Sequence, residues 1–287
     1  MPPASSQTGH DDRVTSAADR LGTVRTRLVH CDHMARVLAI ANQKGGVAKT
    51  TTVHALGVAL ARLGDRVLLV DLDPQACLTF SVGLDPDELA VSLHDVLVGR
   101  NKAADAVHDL GELSIIPSSI DLAGTELFLL GRTGREHALG RALEPVLERF
   151  DTVLVDCPPS LGVLTVNGLT AAHEVVIPLQ CEALAHRGVG QLLDTMADVR
   201  SYTNPNLGVR GVIATMFDSR TRHGREVIED AQRRFGLTVL EPPVPKSVRF
   251  AEAPSRGVSI LDHASTSRGA EAYRTIARTL HEDAPPR

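Results

Sequence analysis

The sequence predicts an α/β fold, doubly wound, with a mostly parallel sheet of about seven strands and helices on both faces. Short apolar runs alternate along the chain with segments that carry apolar residues at helical spacing. This alternation is typical of a parallel sheet covered by helices, because each of its strands must be apolar on both sides. The predicted strands are residues 37–41, 67–70, 113–116, 152–155, 174–177 and 209–214, with a weaker one at 238–240.

One domain is predicted to account for most of the 287 residues. Residues 1–33 lack sustained periodicity and are rich in small, polar and charged types, so we expect a flexible N-terminal tail there. The domain is predicted to span residues 34–281, with a C-terminal tail at 282–287. Met34 precedes the first strand, and the sequence is compatible both with a chain that begins there and with a short helix at residues 17–28.

Composition and charge restrict the possible functions. Hydrophobic residues make up 43% of the chain, as in ordinary globular proteins, and no apolar stretch reaches the ~20 residues of a membrane-spanning helix. The net charge of −5 argues against wholesale coating of nucleic acid. The chain has no Trp to stack single-stranded bases, so any nucleic-acid contact is expected on duplex phosphates. The four cysteines are widely separated, which suggests neither zinc nor disulfides and is typical of a reducing cytoplasm.

A glycine-containing turn follows the first predicted strand and precedes a helical segment. Residues 43–51 read Q-K-G-G-V-A-K-T-T, and strand, glycine turn, Lys-Thr and helix together form a P-loop arrangement, as in P-loop NTPases. The backbone N–H groups of such a turn bind phosphates. Lys49 is expected to reach the terminal phosphates, and the Thr50 hydroxyl to ligate Mg²⁺. The general pattern wants glycine at positions 43 and 48, where this chain has Gln43 and Ala48.

Carboxylates end two of the other predicted strands. Asp71 and Asp73 follow the second strand, and their i, i+2 spacing places both on one side of its end. Asp156 closes the fourth strand, as a Walker B residue must in order to hold Mg²⁺. The next residue, Cys157, is interpreted as a small buried hydrophobe rather than a redox group.

Several motifs resemble the ParA/MinD class of P-loop ATPases. The form K-G-G-x-x-K-T-T resembles the deviant Walker A motif of that class, D-x-D-P-Q at residues 71–75 resembles its switch I, and D-x-P-P at 156–159 resembles its switch II. Residues 244–254 closely match the I-P-R-N-x-R-x-S-E-A-P block of chromosomal ParA/Soj proteins, with Ser247 in place of the asparagine. The resemblance extends from Val37 to about Leu280.

The resemblance implies roles for individual residues. Lys44 reaches the phosphates of a partner subunit, Asp73 orients the attacking water, and Asn167 is either a dimer contact or a plain helix residue. The predicted catalytic residues are Lys44, Lys49 and Asp73. The predicted nucleotide-binding residues are Lys44, Gly45, Gly46, Val47, Ala48, Lys49, Thr50, Thr51, Pro245 and Ser247. The predicted metal ligands are Thr50 and Asp156, and the predicted DNA-binding residues are Arg220 and Arg249.

The same resemblance implies an activity and partners. We expect a slow ATPase that uses ATP and Mg²⁺, forms a homodimer with ATP, binds double-stranded DNA non-specifically and is stimulated by a ParB-like centromere-binding protein. Such a protein drives chromosome or plasmid partitioning and is cytoplasmic, nucleoid-associated and not membrane-bound.

Two alternatives stay open beside partitioning. A nucleotide-gated scaffold with little hydrolysis is compatible with Ala48, since alanine costs on the order of 1 kcal/mol where φ must be positive. A MinD-like spatial regulator would carry a basic amphipathic membrane helix, whereas residues 280–287 are acidic and broken by prolines. Iron–sulfur relatives need a cysteine pair between subunits, a context that Cys157 and Cys181 lack.

Overall fold

The computed structural model describes residues 35–181 and 185–284. The predicted N-terminal tail at 1–33, the possible start at Met34 and the last three positions of the predicted C-terminal tail lie outside the described residues. The domain bounds therefore stay a prediction.

A seven-stranded sheet forms the centre of the described chain. Its strands are β1 (Arg36–Ile40), β2 (Val67–Asp71), β3 (His108–Asp109), β4 (Ser114–Ile116), β5 (Thr152–Asp156), β6 (Glu174–Gln180) and β7 (Gly208–Thr215). Their order across the sheet is β3-β4-β2-β5-β1-β6-β7. Every neighbouring pair is parallel except β3 with β4. The predicted fold class is confirmed.

Helices cover both faces of the sheet. They are α1 (Lys49–Ala61), α2 (Cys77–Ser81), α3 (Leu93–Leu97), α4 (Ala103–Ala106), α5 (Leu122–Leu130), α6 (Ala138–Leu147), α7 (Val163–Ala171), α8 (Ala185–Tyr202), α9 (Arg222–Phe235), α10 (Arg249–Glu252), α11 (Ile260–His263) and α12 (Arg268–Glu282). One apolar cluster packs α3 to α9 against one face, and a second packs α1, α11 and α12 against the other. No helix of the described residues is long and apolar enough to cross a bilayer.

The edges of the sheet differ from the sequence prediction. The predicted strand at 238–240 is wrong, because Val239 forms only an isolated parallel bridge with Val212. A Cβ on Gly211 would lie 2.8 Å from the Thr238 carbonyl oxygen, so this glycine allows the segment to approach β7 closely. The seventh strand is instead β3, whose two residues turn back onto β4 around Gly111 at φ 86°. So short a strand leaves no apolar pattern in the sequence.

The strand order brings the predicted site together. β5 lies between β2 and β1, and the parallel register pairs Asp71 with Asp156 and Ile40 with Asp156. The loop after β1 and the two aspartates therefore meet at the carboxyl edge of the sheet, where ligands bind in open α/β folds.

Candidate functional site

The loop between β1 and α1 has two residues in the left-handed region. Gly46 has φ 73°, and Ala48, the position before α1 begins, has φ 68° and ψ 35°. Left-handed backbone costs roughly 1–2 kcal/mol for a residue with a Cβ. Ala48 thus stands where the general motif has glycine, and its backbone is in the conformation that makes glycine favourable there.

Two side chains that the sequence analysis missed hold this loop to the sheet. The Asn42 amide donates to the Pro178 carbonyl at 2.7 Å, and its Oδ1 accepts the Lys44 backbone N–H at 3.0 Å. The buried Thr215 hydroxyl donates to the Val47 carbonyl at 3.1 Å. Both residues lie at the ends of apolar strands, the same signal that identified the aspartates.

The two lysines of the loop have different environments. Lys49 is buried at 7% exposure and donates to the Lys44 carbonyl at 3.4 Å. Burial lowers the pKa of Lys49, and the nearby Asp156, Cys157 and Asp73 partly offset this effect. Lys49 also lines the cavity beside the P-loop, whereas Lys44 is half-buried and is not among the described residues that line it.

The paired carboxylates differ in their hydrogen bonds. Asp71 accepts bonds from the Thr79 N–H at 2.8 Å and the Thr79 hydroxyl at 2.7 Å, and from the Asp73 N–H at 3.2 Å. Burial still raises the pKa of Asp71 to about 6. Asp156 is equally buried, but neither of its oxygens has a hydrogen-bond partner among the described residues. Burial raises the pKa of Asp156 well above its ordinary value, and the Asp71 charge adds to this effect.

Asp156 and Thr50 fit a hard divalent cation. The Thr50 hydroxyl lies close enough to Asp156 to lower the pKa of its carboxyl, although the two are not in hydrogen-bonding geometry. A buried carboxylate without partners is costly unless a cation or donor binds it. Among residues 35–181 and 185–284, no three His, Cys, Asp or Glu side chains could hold a metal together. Such a cation would arrive with phosphate oxygens, as Mg²⁺ does with nucleotides.

Asp73 lies at the entrance of the site. Its side chain is half-buried, lines the P-loop cavity and accepts the Gln75 N–H at 3.0 Å. The Asp73 carbonyl accepts the Ser118 hydroxyl at 2.8 Å, which fixes the segment after β2 to the segment after β4. This placement leaves the Asp73 carboxylate facing the space above the P-loop.

Two neighbouring cavities share the P-loop. The larger, about 590 Å³, is lined by Gly45, Gly46, Ala48, Lys49, Thr50, Thr51 and Asp73 together with residues of α2 and the 250–260 segment. The smaller, about 330 Å³, brings Pro245 and Ser247 beside Gly46, Ala48 and Thr51. The structure therefore brings Pro245 and Ser247, two of the predicted nucleotide-binding residues, beside the predicted phosphate-binding turn. Val47 is buried and contributes backbone alone to this region.

The two predicted DNA-binding arginines lie on paired segments. Arg220 follows β7, and Arg249 begins α10. Phe217 bridges to Pro245, which joins the two segments. Both arginines are exposed, and Arg220 is 87% accessible. They lie outside the cavities, as a macromolecular contact requires.

Asn167 is a plain helix residue. Its side chain is fully buried, accepts the Leu139 N–H at 3.0 Å and donates to the carbonyls of Arg135 and Val163 at 2.9 and 2.8 Å. Because Asn167 is buried and bonded inside the chain, its side chain is not at the surface where a dimer partner could contact it. Cys157 is buried as predicted, and burial raises the pKa of its thiol.

Comparison with known proteins identifies the family. The model of the AAA domain family AAA_31 matches residues 35–209, more than half of the chain. The chain belongs to this family of P-loop ATPases. Its relatives include the sporulation initiation inhibitor protein Soj of Bacillus subtilis, 44% identical over 86% of this chain and 98% of that protein. The chromosome partitioning protein ParA of Caulobacter vibrioides is 44% identical over 85% of this chain and 93% of that protein.

A solved relative shows the same fold with ligands. The structure described as cobyrinic acid a,c-diamide synthase from Mycobacterium smegmatis, with bound ADP and magnesium, has a TM-score of 0.78 and 54% identity. It covers 87% of this chain and 95% of its own. The family assignment and the site at the strand ends both indicate a nucleotide site of the P-loop type. The roles of individual residues stay predictions.

Proposed function

We propose that the protein is an ATP-dependent dimerising switch that binds DNA non-specifically and hydrolyses ATP to drive chromosome or plasmid partitioning. Its relatives Soj and ParA support the partitioning role. The position of Lys44 supports the proposal of a dimer. Lys49 lines the cavity of its own protomer, whereas Lys44, in the same loop, does not line that cavity. A lysine in this position is suited to phosphates bound by a second copy.

The described residues divide the work on the nucleotide. The N–H groups of the P-loop and the start of α1 bind the phosphates, and Lys49 neutralises their charge. Thr50 and Asp156 would hold Mg²⁺. When bound, Mg²⁺ neutralises charge on the phosphate oxygens. Asp73, at the entrance, orients the water that attacks the terminal phosphate.

Lys44 of a second copy supplies positive charge to the transition state. It takes the part that an arginine finger plays in other phosphoryl-transfer enzymes. Loss of the terminal phosphate after hydrolysis removes that attraction and loosens the dimer. A slow intrinsic rate therefore serves as a timer that DNA and a ParB-like partner regulate.

An ATPase assay with and without duplex DNA and the ParB-like partner tests this function. The wild-type protein is expected to hydrolyse ATP slowly and to be stimulated when both are present. Lys44→Ala should keep ATP binding, because the side chain does not line its own cavity, but should lose both dimerisation and stimulation. Retained stimulation in Lys44→Ala would contradict the role of this lysine.

A nucleotide-gated scaffold is separated from an enzyme by Asp73→Ala. Phosphate release that equals the wild-type rate in this variant would favour a scaffold whose hydrolysis is incidental. A large drop in the rate, with ATP binding kept, supports Asp73 as the residue that positions the water.

The name of the Mycobacterium smegmatis structure indicates a different chemistry, amide formation. Amide synthesis needs ammonia, which such enzymes commonly release from glutamine with an activated cysteine. Burial instead raises the pKa of Cys77, Cys157 and Cys181, the three cysteines within the described residues, and that of Cys181 to about 11. None of these three thiols has the lowered pKa of an activated nucleophile, which together with the relatives Soj and ParA favours partitioning over amidation.

A further inference from the structure

Arg220 is already engaged by an acidic side chain of its own loop. Its Nε donates to Oδ1 of Asp218 at 2.9 Å, and its second terminal nitrogen donates to Oδ2 at 2.8 Å. The Arg220 backbone N–H also donates to Oδ1 of Asp218, at 3.0 Å. The guanidinium fork and the carboxylate thus face each other in a bidentate pair. This pairing is the geometry with which arginine also binds a phosphate.

We propose that Asp218 is an intramolecular competitor that occupies the Arg220 guanidinium until a DNA phosphate replaces it. This inference rests on the proposed DNA binding and adds a residue that sets its strength. A phosphate that takes the same Nε–Nη2 edge of Arg220 must displace two hydrogen bonds, and one that takes the remaining Nη1 donors still meets a fixed negative charge. Asp218 therefore lowers the DNA affinity that Arg220 alone would give.

The local structure keeps Asp218 in place for this competition. The Asp218 carbonyl accepts the Thr221 N–H at 3.1 Å and the Thr221 hydroxyl at 2.9 Å. The same hydroxyl accepts the Gly224 N–H at the start of α9. Asp218 is thus part of the turn that caps the helix. Hydrogen bonds from Arg220 lower the pKa of Asp218 to about 2, so the carboxylate is charged at every physiological pH.

The second predicted DNA contact has no such bidentate pair. Among the described residues, the Arg249 charge acts on the nearby Glu252 without an ion pair between them, and the Arg249 backbone N–H donates to the Ser247 hydroxyl. The bidentate pair with Asp218 therefore distinguishes Arg220 from Arg249. Arg220 makes two hydrogen bonds with the Asp218 carboxylate in the DNA-free protein and can make two with a phosphate in the DNA-bound protein. Such an exchange suits a contact that must form and break repeatedly.

Fluorescence anisotropy with a labelled duplex of random sequence tests the proposal at low salt, with a non-hydrolysable ATP analogue and Mg²⁺. Asp218→Asn keeps an acceptor for the Arg220 N–H but removes the charge. We expect the Kd to fall roughly twofold to fivefold. Asp230→Asn is the matched control, since Asp230 also pairs with exposed arginines, Arg233 and Arg234, on α9. Its Kd should change by less than about twofold.

A double-mutant cycle tests whether Asp218→Asn changes the DNA affinity through Arg220. In an Arg220→Ala background, whose residual binding is measured at low salt, Asp218→Asn should give no gain, because its target is gone. A gain that persists there would mean general repulsion of DNA and would overturn the proposal, as would an unchanged Kd in Asp218→Asn alone.

Failure of the proposed function has a different pattern. If wild-type protein does not bind the duplex and Arg220→Ala changes nothing, the proposal of DNA binding is wrong, and the proposed competition by Asp218 is wrong as well. If wild-type binding is clear and Arg220→Ala weakens it, but Asp218→Asn equals Asp230→Asn, only the competition is wrong. Thermal unfolding of each variant checks that the turn before α9 still folds.

Discussion

Asp71 and Asp156 are register partners at the ends of adjacent strands, yet only Asp71 is hydrogen-bonded. The Thr79 N–H and hydroxyl satisfy Asp71, which gives it a structural role in the segment after β2. Asp156 is left with buried, unpaired oxygens that point to a ligand the protein must acquire. Both aspartates follow apolar strands in the sequence, and only their surroundings in the structure explain why their tasks differ.

Replacement of Asp156 and of Asp71 should affect stability differently. Asp156→Asn removes a buried charge that its environment disfavours, but it also removes the charge that offsets the burial of Lys49, so the free energy of unfolding of the ligand-free protein is expected to change by less than about 1 kcal/mol. Asp71→Asn, the matched control, loses acceptor capacity toward Thr79 and should destabilise by about 1–3 kcal/mol. Chemical denaturation without nucleotide measures both. Asp156→Asn should also lose Mg²⁺-dependent ATP binding, and a variant that binds as wild type does would refute the metal role.

Ala48 and Gly46 form a matched pair for backbone strain. Both have positive φ, and a Cβ on Gly46 would meet nothing within 4 Å, so only the backbone conformation is tested. Ala48→Gly is expected to raise the free energy of unfolding by roughly 0.4–1 kcal/mol, and Gly46→Ala to lower it by about 1 kcal/mol. Denaturation of the two variants measures this. A destabilised Ala48→Gly would show that the Ala48 methyl packs usefully. The ATPase rate of Ala48→Gly shows whether the alanine slows hydrolysis.

Thr215 links β7 to the P-loop through one buried bond. Thr215→Val keeps the shape but leaves the Val47 carbonyl without this donor, at a cost of about 1–3 kcal/mol. Nucleotide affinity should fall with it, because the loop that holds the phosphates loses a support. Thr195→Val removes an exposed hydroxyl bond within α8 and should change little. Calorimetric titration with ADP and Mg²⁺ compares the two, and equal affinities would show that the bond is dispensable.

The sequence predicted those parts of the fold that depend on local apolar pattern and on strand ends. Six strands with buried apolar residues, the P-loop and the aspartates at the sheet edge were all recognisable, because parallel topology places such positions at one edge. The antiparallel strand β3 was not, since its two residues, which precede the turn at Gly111, carry no periodicity. The segment at 238–240 is apolar like a strand, yet it pairs only through a single bridge.

Sequence reasoning could reach the supports of the site only in part. Their places at strand ends mark Asn42 and Thr215 as candidates, but the carbonyls that they bind, those of Pro178 and Val47, are distant in sequence, and no motif identifies them. The Asp218–Arg220 pair was invisible for a different reason. Arg220 was identified through the resemblance to ParA/Soj proteins, while Asp218, two residues before it, acquires meaning only from the bidentate geometry.

His54 should make stability depend on pH. Burial lowers the pKa of His54 to about 4, and the nearby Asp262 charge offsets this only partly. Between pH 6.5 and about 4 the unfolded chain binds a proton that the folded protein does not, so stability falls as pH falls. The loss approaches about 3 kcal/mol near pH 4. Denaturation from pH 7 to 4.5 should show a shallower decline for His54→Gln, while the exposed His137→Gln follows wild type. Parallel curves for all three proteins would contradict this assignment.

Arg220 and Arg249 should act together on DNA. Arg220→Ala combined with Arg249→Ala removes two exposed charges from paired segments outside the cavities, so duplex binding is expected to be abolished while ATP binding is kept. Each lost phosphate contact also reduces the salt slope by about 1, so the single variants should bind with a flatter dependence on salt. Arg233→Ala combined with Arg234→Ala removes the same charge from the end of α9 and is the control. Retention of the first double variant on random duplex at low salt, equal to wild type, would show that these arginines do not contact DNA.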